Sequence, residues 1–319
     1  MILQKLVVPI CVSVCLLTIL HTNREALLDT KPFDSHANIT CNNNHTVRGA
    51  IVTILTAIDE DYINLVLVLG HSINLYDAVT CDIDRIVMIH DDAVFTPKTR
   101  SQLKLAGWSL MIVPQIAPPD AVNKLTVRYE RYLKCFSKLH AFNMTQYETV
   151  LLLDADTILC GNVMELFIQY ATRMRTIGVH LAWARDSRDK SNPNSSFNAG
   201  VMLIRPSNVL THHLIENLNR ITFEYAFSEQ GYLTAMFNSS QPTPPGSIYR
   251  QYLILPQKFN LLAKIATTDN ALWQKTWKDA RIFHFTWLKP TALFLMPRCA
   301  YMGTLRFCGM WTRIRDQLL

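Results

Sequence analysis

The sequence predicts an α/β fold in which helices cover both faces of a sheet. The chain has 319 residues, of which 49% are hydrophobic and 18% are charged, and this composition supports a large core and argues against disorder. From Ala50 onward, short runs that are apolar almost throughout alternate with segments of helical spacing. Strands that are apolar on both sides and separated by helices are typical of such a covered sheet.

The elements follow in order along the chain. Runs rich in Ile, Val and Leu predict strands at 50–57 (AIVTILTA), 85–90 (RIVMIH), 109–116 (SLMIVPQI), 149–154 (TVLLLD), 177–183 (IGVHLAW) and 199–205 (AGVMLIR). Helical spacing predicts helices between them at 61–76, 96–106, 130–146, 162–175 and 207–220. In folds of this class, ligands bind beyond the C-terminal ends of the strands.

The residues before this domain predict targeting to the secretory pathway. Lys5 precedes 15 uncharged residues (6–20), fewer than the roughly 20 of a usual membrane span. The segment fits a signal peptide or a signal anchor. The following residues, 20–23, lack the small side chains of a cleavage site, which favours the uncleaved anchor. We therefore expect a cytosolic tip and anchor at 1–21, a polar lumenal stem at 22–48 and a folded domain at 49–319.

Sequons and cysteines agree with a lumenal environment. Five asparagines stand in glycosylation sequons: Asn38, Asn44, Asn143, Asn194 and Asn238. Six widely spaced cysteines follow the apolar segment and form no CxxC pair, which disfavours a zinc ribbon. Cys299 and Cys308 are candidates for a disulfide that bridges a C-terminal loop, whereas buried free thiols are an equal alternative for the other cysteines. The net charge of +6 comes without a basic block, so the sequence predicts no nucleic-acid partner.

Two carboxylates stand at the end of a predicted buried strand, in 149-TVLLLDADTIL-159. A carboxylate at such a position is costly unless it is paired, hydrogen-bonded or bound to a metal. Asp154 and Asp156, separated by the small Ala155, suit Mg²⁺ or Mn²⁺, and such an ion suits a diphosphate. The alternative is that one of them caps the helix that begins near Asn162 or forms a turn.

Further segments extend this motif into an ordered pattern. They are 56–73, 131–157, 197–207 (FNAGVMLIRPS), 228–237 (SEQGYLTAMF) and 284–290 (HFTWLKP). In this order they resemble the family 8 glycosyltransferases, the glycogenin-like group, from about Ile51 to Pro290. The resemblance implies a nucleotide-diphospho-sugar transferase (GT-A-like) fold with a mixed, mostly parallel sheet. It also implies a UDP-sugar donor, Mn²⁺ with Mg²⁺ as the alternative, and retention of anomeric configuration.

The resemblance assigns a metal and diphosphate end to the site. Asp154 and Asp156 match the aspartates that hold Mn²⁺ and contact the ribose, Asp156 being the closer match for the metal. His284 matches a third metal ligand, and Lys289 matches a lysine on the diphosphate. These types are chemically consistent, because imidazole suits Mn²⁺ and lysine neutralises phosphate.

The resemblance also assigns donor and sugar contacts. Lys138 matches a lysine needed for activity, and Arg131 matches a basic donor-binding residue, with Arg128 as its competitor. The uridine-binding turn corresponds to Thr56, Ala57, Asp59 and Tyr62. Asn198 and Ala199 fall where the family contacts the transferred sugar, as does Asp186. Glu229 and Gln230 match an Asp-Gln pair beside the anomeric carbon.

Three positions depart from the family pattern. Trp287 stands where a glycine lets the backbone approach the phosphate, and we count it among the donor-binding residues. Thr291 replaces the tryptophan after Lys-Pro, and Glu229 is one methylene longer than Asp. The short spacing from His284 to Lys289 is similar to that of glucuronosyl-transferring members. Glucose, galactose, N-acetylglucosamine and glucuronic acid remain open as the sugar.

The prediction is therefore a retaining, Mn²⁺-dependent hexosyltransferase that acts on a glycan or glycoprotein acceptor. We expect it in the Golgi or another secretory-pathway membrane with its catalytic domain, 49–319, in the lumen, or else secreted after signal cleavage. One alternative is a catalytically silent relative that binds UDP-sugar or glycans. A second is a metal-dependent nucleotide hydrolase, which would need further ligand clusters that the sequence does not show.

Overall fold

A computed structural model of the chain describes residues 48–76, 83–118, 130–186, 197–237, 251–286, 288–290 and 295–318. These ranges leave out the anchor predicted at 1–21, all of the predicted stem except residue 48, and the sequon asparagines other than Asn143. Asn143 is exposed at the protein surface. Within the described ranges, no helix is both long enough and apolar enough to cross a membrane.

The larger sheet has seven strands in the order β3-β2-β1-β4-β7-β6-β8. The pairs β1–β2, β2–β3, β1–β4 and β6–β8 are parallel, whereas β4–β7 and β6–β7 are antiparallel. The predicted mixed, mostly parallel sheet is thereby confirmed. Its strands are β1 (Gly49–Ile54), β2 (Ile83–Ile89), β3 (Ser109–Ile112), β4 (Thr149–Leu153), β6 (Leu181–Arg185), β7 (Phe197–Ile204) and β8 (Tyr252–Ile254).

Alternate residues of the central strands enter two hydrophobic cores, one on each face of the sheet. In β4, Leu151 and Leu153 point into one core, whereas Val150 and Leu152 point into the other. All four are completely buried. This burial on both faces explains why the central strands read as unbroken apolar runs in the sequence.

Helices cover both cores. They are α1 (Glu60–Leu75), α2 (Pro97–Leu105), α3 (Glu130–Lys134), α4 (Ala171–Ile177), α5 (Asn208–Asn217), α6 (Ser228–Phe237), α7 (Ile265–Thr268), α8 (Asn270–Thr276), α9 (Leu295–Tyr301) and α10 (Leu305–Asp316). The buried side of α1 packs into the first core, together with α10. A 3-10 helix, Cys135–Asn143, packs into the second core with α5 and α6.

A small second sheet lies beside the first core. Its order is β5-β10-β9, with β5 (Thr157–Leu159), β9 (Leu261–Leu262) and β10 (Ile282–His284). The strand β10 is antiparallel to β5 and parallel to β9, and His284 is registered with Thr157. The chain therefore passes from the large sheet to the small one through the three residues between β4 and β5.

The structure shifts three predicted elements. The strand predicted at 177–183 begins four residues later, because α4 continues to Ile177 and ends at Gly178, whose φ of 76° is a left-handed helix cap. The helix predicted at 130–146 is a short α-helix followed by the 3-10 helix. The strand predicted at 109–116 ends at Ile112.

Cys299 and Cys308 form a disulfide, as the sequence predicted. The bond joins α9 to α10 across a short loop. Both sulfurs are completely buried under the apolar side of α10, which packs into the first core. The disulfide therefore holds the last described helices of the chain against the body of the domain.

Candidate active site

The candidate site lies at the edge where strands β1 and β4 end. The Asp154 N–H donates to the carbonyl of Gly200 at 2.8 Å, which fastens the end of β4 to β7. The carbonyl of Asp154 accepts from the backbone N–H of Thr157 at 3.1 Å and from its hydroxyl at 2.7 Å. These bonds form a tight turn that presents both aspartate side chains at the sheet edge. The cap near the next helix comes instead from Asn162, whose side chain accepts from the N–H of Met164.

Asp154, Asp156 and His284 converge in this turn. One potential ligand atom from each lies within 4.8 Å of the others. His284 Nε2 is 3.3 Å from Asp156 Oδ1 and 3.8 Å from Asp154 Oδ2. Two carboxylates and one imidazole are a suitable donor set for a divalent ion such as Mn²⁺, and two of the three side chains are buried. The residues present therefore fit a divalent metal ion.

Lys289 contacts Asp156 at the outer end of this group. Its Nζ pairs with Asp156 Oδ2, while its side chain remains 46% exposed. Burial alone would raise the pKa of Asp156, but the charge of Lys289 and the contact with the His284 ring prevail and hold that pKa well below its ordinary value. Asp156 is thus an ionised carboxylate, as a metal ligand must be.

Lys138 forms a buried ion-pair cluster at the inner end. Its Nζ lies 2.5 Å from Asp154 Oδ1 and 2.6 Å from Glu229 Oε1, and it projects from the 3-10 helix. Burial opposes the charge of Lys138, but the carboxylates of Asp154 and Glu229 outweigh it and hold the pKa of Lys138 well above its ordinary value. The same burial raises the pKa of Glu229, and Lys138 partly offsets this effect.

Glu229 and Gln230 stand in the first turn of α6. Ser228, just before them, has a φ of 51°, and its hydroxyl donates to the carbonyl of Tyr132 at 2.5 Å. A positive φ is strained for a residue other than glycine and is often retained at functional sites. A Cβ at Gly231 would lie 2.3 Å from the carbonyl oxygen of Glu224, so only glycine fits this turn. The local backbone therefore holds the two side chains in a defined direction.

Strand β7 bulges where it passes the site. Its register with β6 jumps so that Trp183 faces Met202 whereas Ala184 faces Asn198. Bulges of this kind re-aim side chains and are common beside active sites. Gly200, inside the bulge, leaves room for the His284 ring, because a Cβ there would lie 2.1 Å from His284 Cε1.

Asp186, at the end of β6, pairs with Lys264 in the interior. Both side chains are almost completely buried. Neither Lys264 nor the equally buried Asn260 was among the site residues predicted from the sequence. The signal that would have found them is the presence of two polar residues in the apolar run 259-FNLLAKI-265. Burial lowers the pKa of Lys264 to about 8.

The predicted uridine turn lies at the end of β1. Thr56 and Tyr62 line the cleft, and Ala57 belongs to the same turn. Asp59 also acts as the N-cap of α1, because its carboxylate accepts from the N–H of Tyr62 at 2.8 Å. The backbone of Arg131 lies in α3, but its side chain is outside the described part of the chain, as are Arg128 and Trp287.

A cleft of about 230 Å³ joins these groups. Of the predicted site residues, nine line it: Thr56, Tyr62, Lys138, Asp154, Ala155, Asp156, Glu229, Gln230 and Lys289. The remaining walls come from residues that the sequence analysis did not select, including Tyr132, Cys135, Phe227 and Ser228. The cleft thus runs from the uridine turn past the carboxylates to the start of α6.

Comparison with known proteins gives a family and a fold. The sequence profile described as glycosyl transferase family 8 matches residues 53–290. Inositol phosphorylceramide glucuronosyltransferase 1 of Arabidopsis thaliana is 27% identical over 59% of this chain and 30% of its own length. Glycogenin-1 of Caenorhabditis elegans is 26% identical over 73% of this chain and 48% of its own length. The chain thus spans less than half the length of these two relatives.

Solved structures agree with the fold. An active-site mutant of LgtC superposes with a TM-score of 0.55 at 14% identity, covering 84% of this chain and 95% of the other. The glycosyltransferase GlyE of Streptococcus pneumoniae superposes with a TM-score of 0.52 at 18% identity, covering 85% of this chain and 62% of the other. The architecture described above is therefore that of the GT-A glycosyltransferases.

Proposed function

Since the chain belongs to glycosyl transferase family 8, we propose that it moves a hexosyl unit from a UDP-sugar to a glycan or glycoprotein acceptor with retention of configuration. The observation that carries this proposal is the arrangement along one cleft. A possible metal triad and an accessible lysine stand at one end, and the buried Lys138–Glu229 pair stands at the other, next to Gln230. Groups that suit a diphosphate therefore lie next to groups that suit a sugar.

Asp154, Asp156 and His284 would hold the divalent ion, Mn²⁺ or alternatively Mg²⁺. When bound, such an ion supplies positive charge that offsets the diphosphate and its developing charge as UDP leaves. Lys289, which is half exposed and contacts Asp156, would supply the diphosphate with a second positive charge. Thr56, Tyr62 and the turn around them would then receive the uridine.

The inner group would bind and orient the sugar. Lys138 and Glu229 form an ion pair. Gln230 Oε1 accepts from Asn198 Nδ2 and from the N–H of Ala199. Gln230 Nε2 donates to Asp186. The bond from C1 to the phosphate oxygen breaks, and the acceptor oxygen bonds to C1 on the same face. The acceptor proton passes to the departing phosphate oxygen. An amide is a poor nucleophile, so this front-face route is preferred to a covalent intermediate on Gln230.

The sugar and the cellular location are also proposals. Because of the similarity to a plant glucuronosyltransferase, we include UDP-glucuronate with UDP-glucose, UDP-galactose and UDP-N-acetylglucosamine among the donors to test. We propose a lumenal domain in the Golgi or another secretory membrane. The apolar segment at 6–20, the sequons and the Cys299–Cys308 disulfide support an oxidising lumenal environment.

The substitution Asp156→Asn tests the proposed metal role. We expect it to reduce sugar transfer at least about a hundredfold, because it removes the ionised ligand that the charge of the site depends on. UDP release should be measured with Mn²⁺ and a panel of UDP-sugars. Asp92→Asn is the matched control, since Asp92 pairs with Lys134 at the surface. Near-normal transfer by Asp156→Asn would refute the metal assignment.

The same assay separates an enzyme from a catalytically silent relative. A silent relative would bind UDP in the cleft and release none from any donor, with or without an acceptor. Binding can be followed by quenching of tryptophan fluorescence. An enzyme releases UDP from at least one donor, and the release rises when the correct acceptor is added.

A further inference from the structure

We propose that a one-directional chain of side-chain amides fixes the tautomer of His284, so that Nδ1 carries a proton and Nε2 is left to bind the metal. The inference rests on the proposed function, because it treats His284 as a metal ligand. It assigns to Asn260 and Lys264 a role as positioning residues. Both are buried, and neither was among the residues predicted for the site.

The chain of hydrogen bonds starts at the imidazole. His284 Nδ1 lies 3.2 Å from Asn260 Oδ1, and Asn260 Nδ2 lies 2.8 Å from Asn198 Oδ1. Asn198 Nδ2 lies 3.2 Å from Gln230 Oε1, and Gln230 Nε2 lies 3.4 Å from Asp186 Oδ2. Three consecutive amides therefore connect the metal end of the site to its sugar end.

Two backbone groups determine which way each amide is turned. The oxygen and nitrogen of an amide side chain are hard to tell apart by shape, so their assignment must come from their partners. The N–H of Gly200 points at Asn198 Oδ1 at 3.0 Å, and the N–H of Ala199 points at Gln230 Oε1 at 3.1 Å. A backbone N–H can only donate, so both of these side-chain atoms must be oxygens.

The direction of the other bonds follows from these two oxygens. Because Asn198 presents its oxygen to Asn260, Asn260 must present its NH₂ group in return. The oxygen of Asn260 then faces His284, and an oxygen of this kind only accepts. His284 Nδ1 must therefore be the donor. Its other nitrogen, Nε2, is the one that faces Asp154 and Asp156.

The far end of the chain is closed by an ion pair. Asp186 accepts from Gln230, and an ionised carboxylate has no proton with which to reverse the bond. Lys264 contacts the other oxygen of Asp186, and both side chains are at most 1% exposed. The lysine thus supplies this buried carboxylate with a charge partner. An acceptor at this end and two backbone donors in the middle impose the same direction on every link.

Metal-bound histidines are commonly oriented in this way by the partner of their second nitrogen, and losing that partner costs about 10–100-fold in metal affinity. We therefore expect Asn260→Leu, which keeps the branching and the number of side-chain heavy atoms without either hydrogen bond, to weaken Mn²⁺ binding by about that factor. Its His284 should also lose the preference for the Nδ1-protonated form. Asn217→Leu is the matched control, because Asn217 also contacts a histidine, His213, but in α5 away from the site.

The decisive measurement is ¹⁵N NMR of the histidine rings in the metal-free protein, with Mn²⁺ affinity measured by titration. The proposal expects a protonated Nδ1 on His284 in the wild-type chain, and this measurement needs no variant to fold. A neutral His284 with its proton on Nε2 would overturn it. Unchanged Mn²⁺ affinity in a folded Asn260→Leu protein would overturn it as well.

These readouts do not depend on sugar transfer. If the tautomer and the affinity behave as expected while no UDP-sugar is used, the proposed function fails and the positioning chain stands. If transfer is seen but Nδ1 is unprotonated, the chain fails and the function stands. Lys264→Met probes the far end, where we expect Gln230 to lose its fixed partner and the KM for the donor to rise more than kcat falls.

Discussion

At Glu229, a single buried carboxylate makes stability depend on pH in a defined direction. Burial raises the pKa of Glu229 in the folded state, and the partial offset by Lys138 does not cancel this effect. The folded protein then holds a proton at this residue more tightly than the unfolded chain does. Its contribution to stability is therefore most favourable below the ordinary pKa of 4.5 and falls as the pH rises through the raised pKa.

The substitution Glu229→Gln removes this titration and keeps an oxygen that can accept from Lys138. We expect the stability of the wild type relative to Glu229→Gln to decrease as the pH is raised from about 4.5 toward 7. Thermal unfolding of both proteins in metal-free buffers checks this. A difference that stays constant across that range would show that Glu229 titrates alike in the folded and unfolded chains.

Among the elements, the bulged strand β7 passes close to the ring of His284 at Gly200. Gly200→Ala would place a Cβ 2.1 Å from His284 Cε1, so the imidazole would have to move away from the carboxylates. We expect Mn²⁺ affinity to fall at least about tenfold, in line with the cost of disturbing the orientation of a metal ligand. A titration of the folded variant with Mn²⁺ gives the measurement.

Gly309→Ala is a matched control for this substitution. Gly309 lies inside α10, and a Cβ there has no neighbour within 4 Å. Alanine should stabilise the helix by about 0.5–1 kcal/mol, because it restricts the unfolded chain and costs no space. Equal loss of metal affinity in both variants would mean that the effect at Gly200 is not local.

The length and burial of a strand decide whether the sequence can predict it. Strands β1, β4 and β7 were predictable because their burial on both faces requires unbroken apolar runs. Strands β5, β8, β9 and β10 have only two or three residues each. A run of that length carries no periodicity, and these strands exist only because distant partners pair with them.

The residues of the candidate site also differ in whether the sequence could predict them. Asp154, Asp156 and His284 stand in a recognisable order along the chain, and the structure brings them together. Lys264 and Asn260 are single polar residues in an apolar run, with partners 78 and 62 residues away in Asp186 and Asn198. Their position in an apolar run marks both residues as unusual, but only the fold shows which partners they have.

At the scale of the whole molecule, the possible metal ligands join two sheets. Asp154 follows β4 of the large sheet, whereas His284 ends β10 of the small one. An ion held by both would link the sheets and bind only the folded chain. At a free concentration 100 times its Kd it should stabilise the protein by about 2.7 kcal/mol.

We therefore expect Mn²⁺ to raise the melting temperature of the wild type by several degrees and to leave Asp156→Asn almost unchanged. Thermal unfolding with and without a chelator measures the difference. An equal rise in both proteins would place the stabilising ion elsewhere on the molecule. This comparison of melting temperatures needs no UDP-sugar, so it can be made before the donor is known.

The pairing of β5 with β10 joins two segments that the ribosome synthesises at different times. Asp156 and its partner Lys289 are 133 residues apart, so the carboxylates emerge long before their partners. At the usual ~5–20 residues per second, that interval is roughly 7–27 s. During that time the nascent chain has two acidic side chains and no imidazole beside them. An ion held by Asp154, Asp156 and His284 would therefore bind only after His284 has been synthesised.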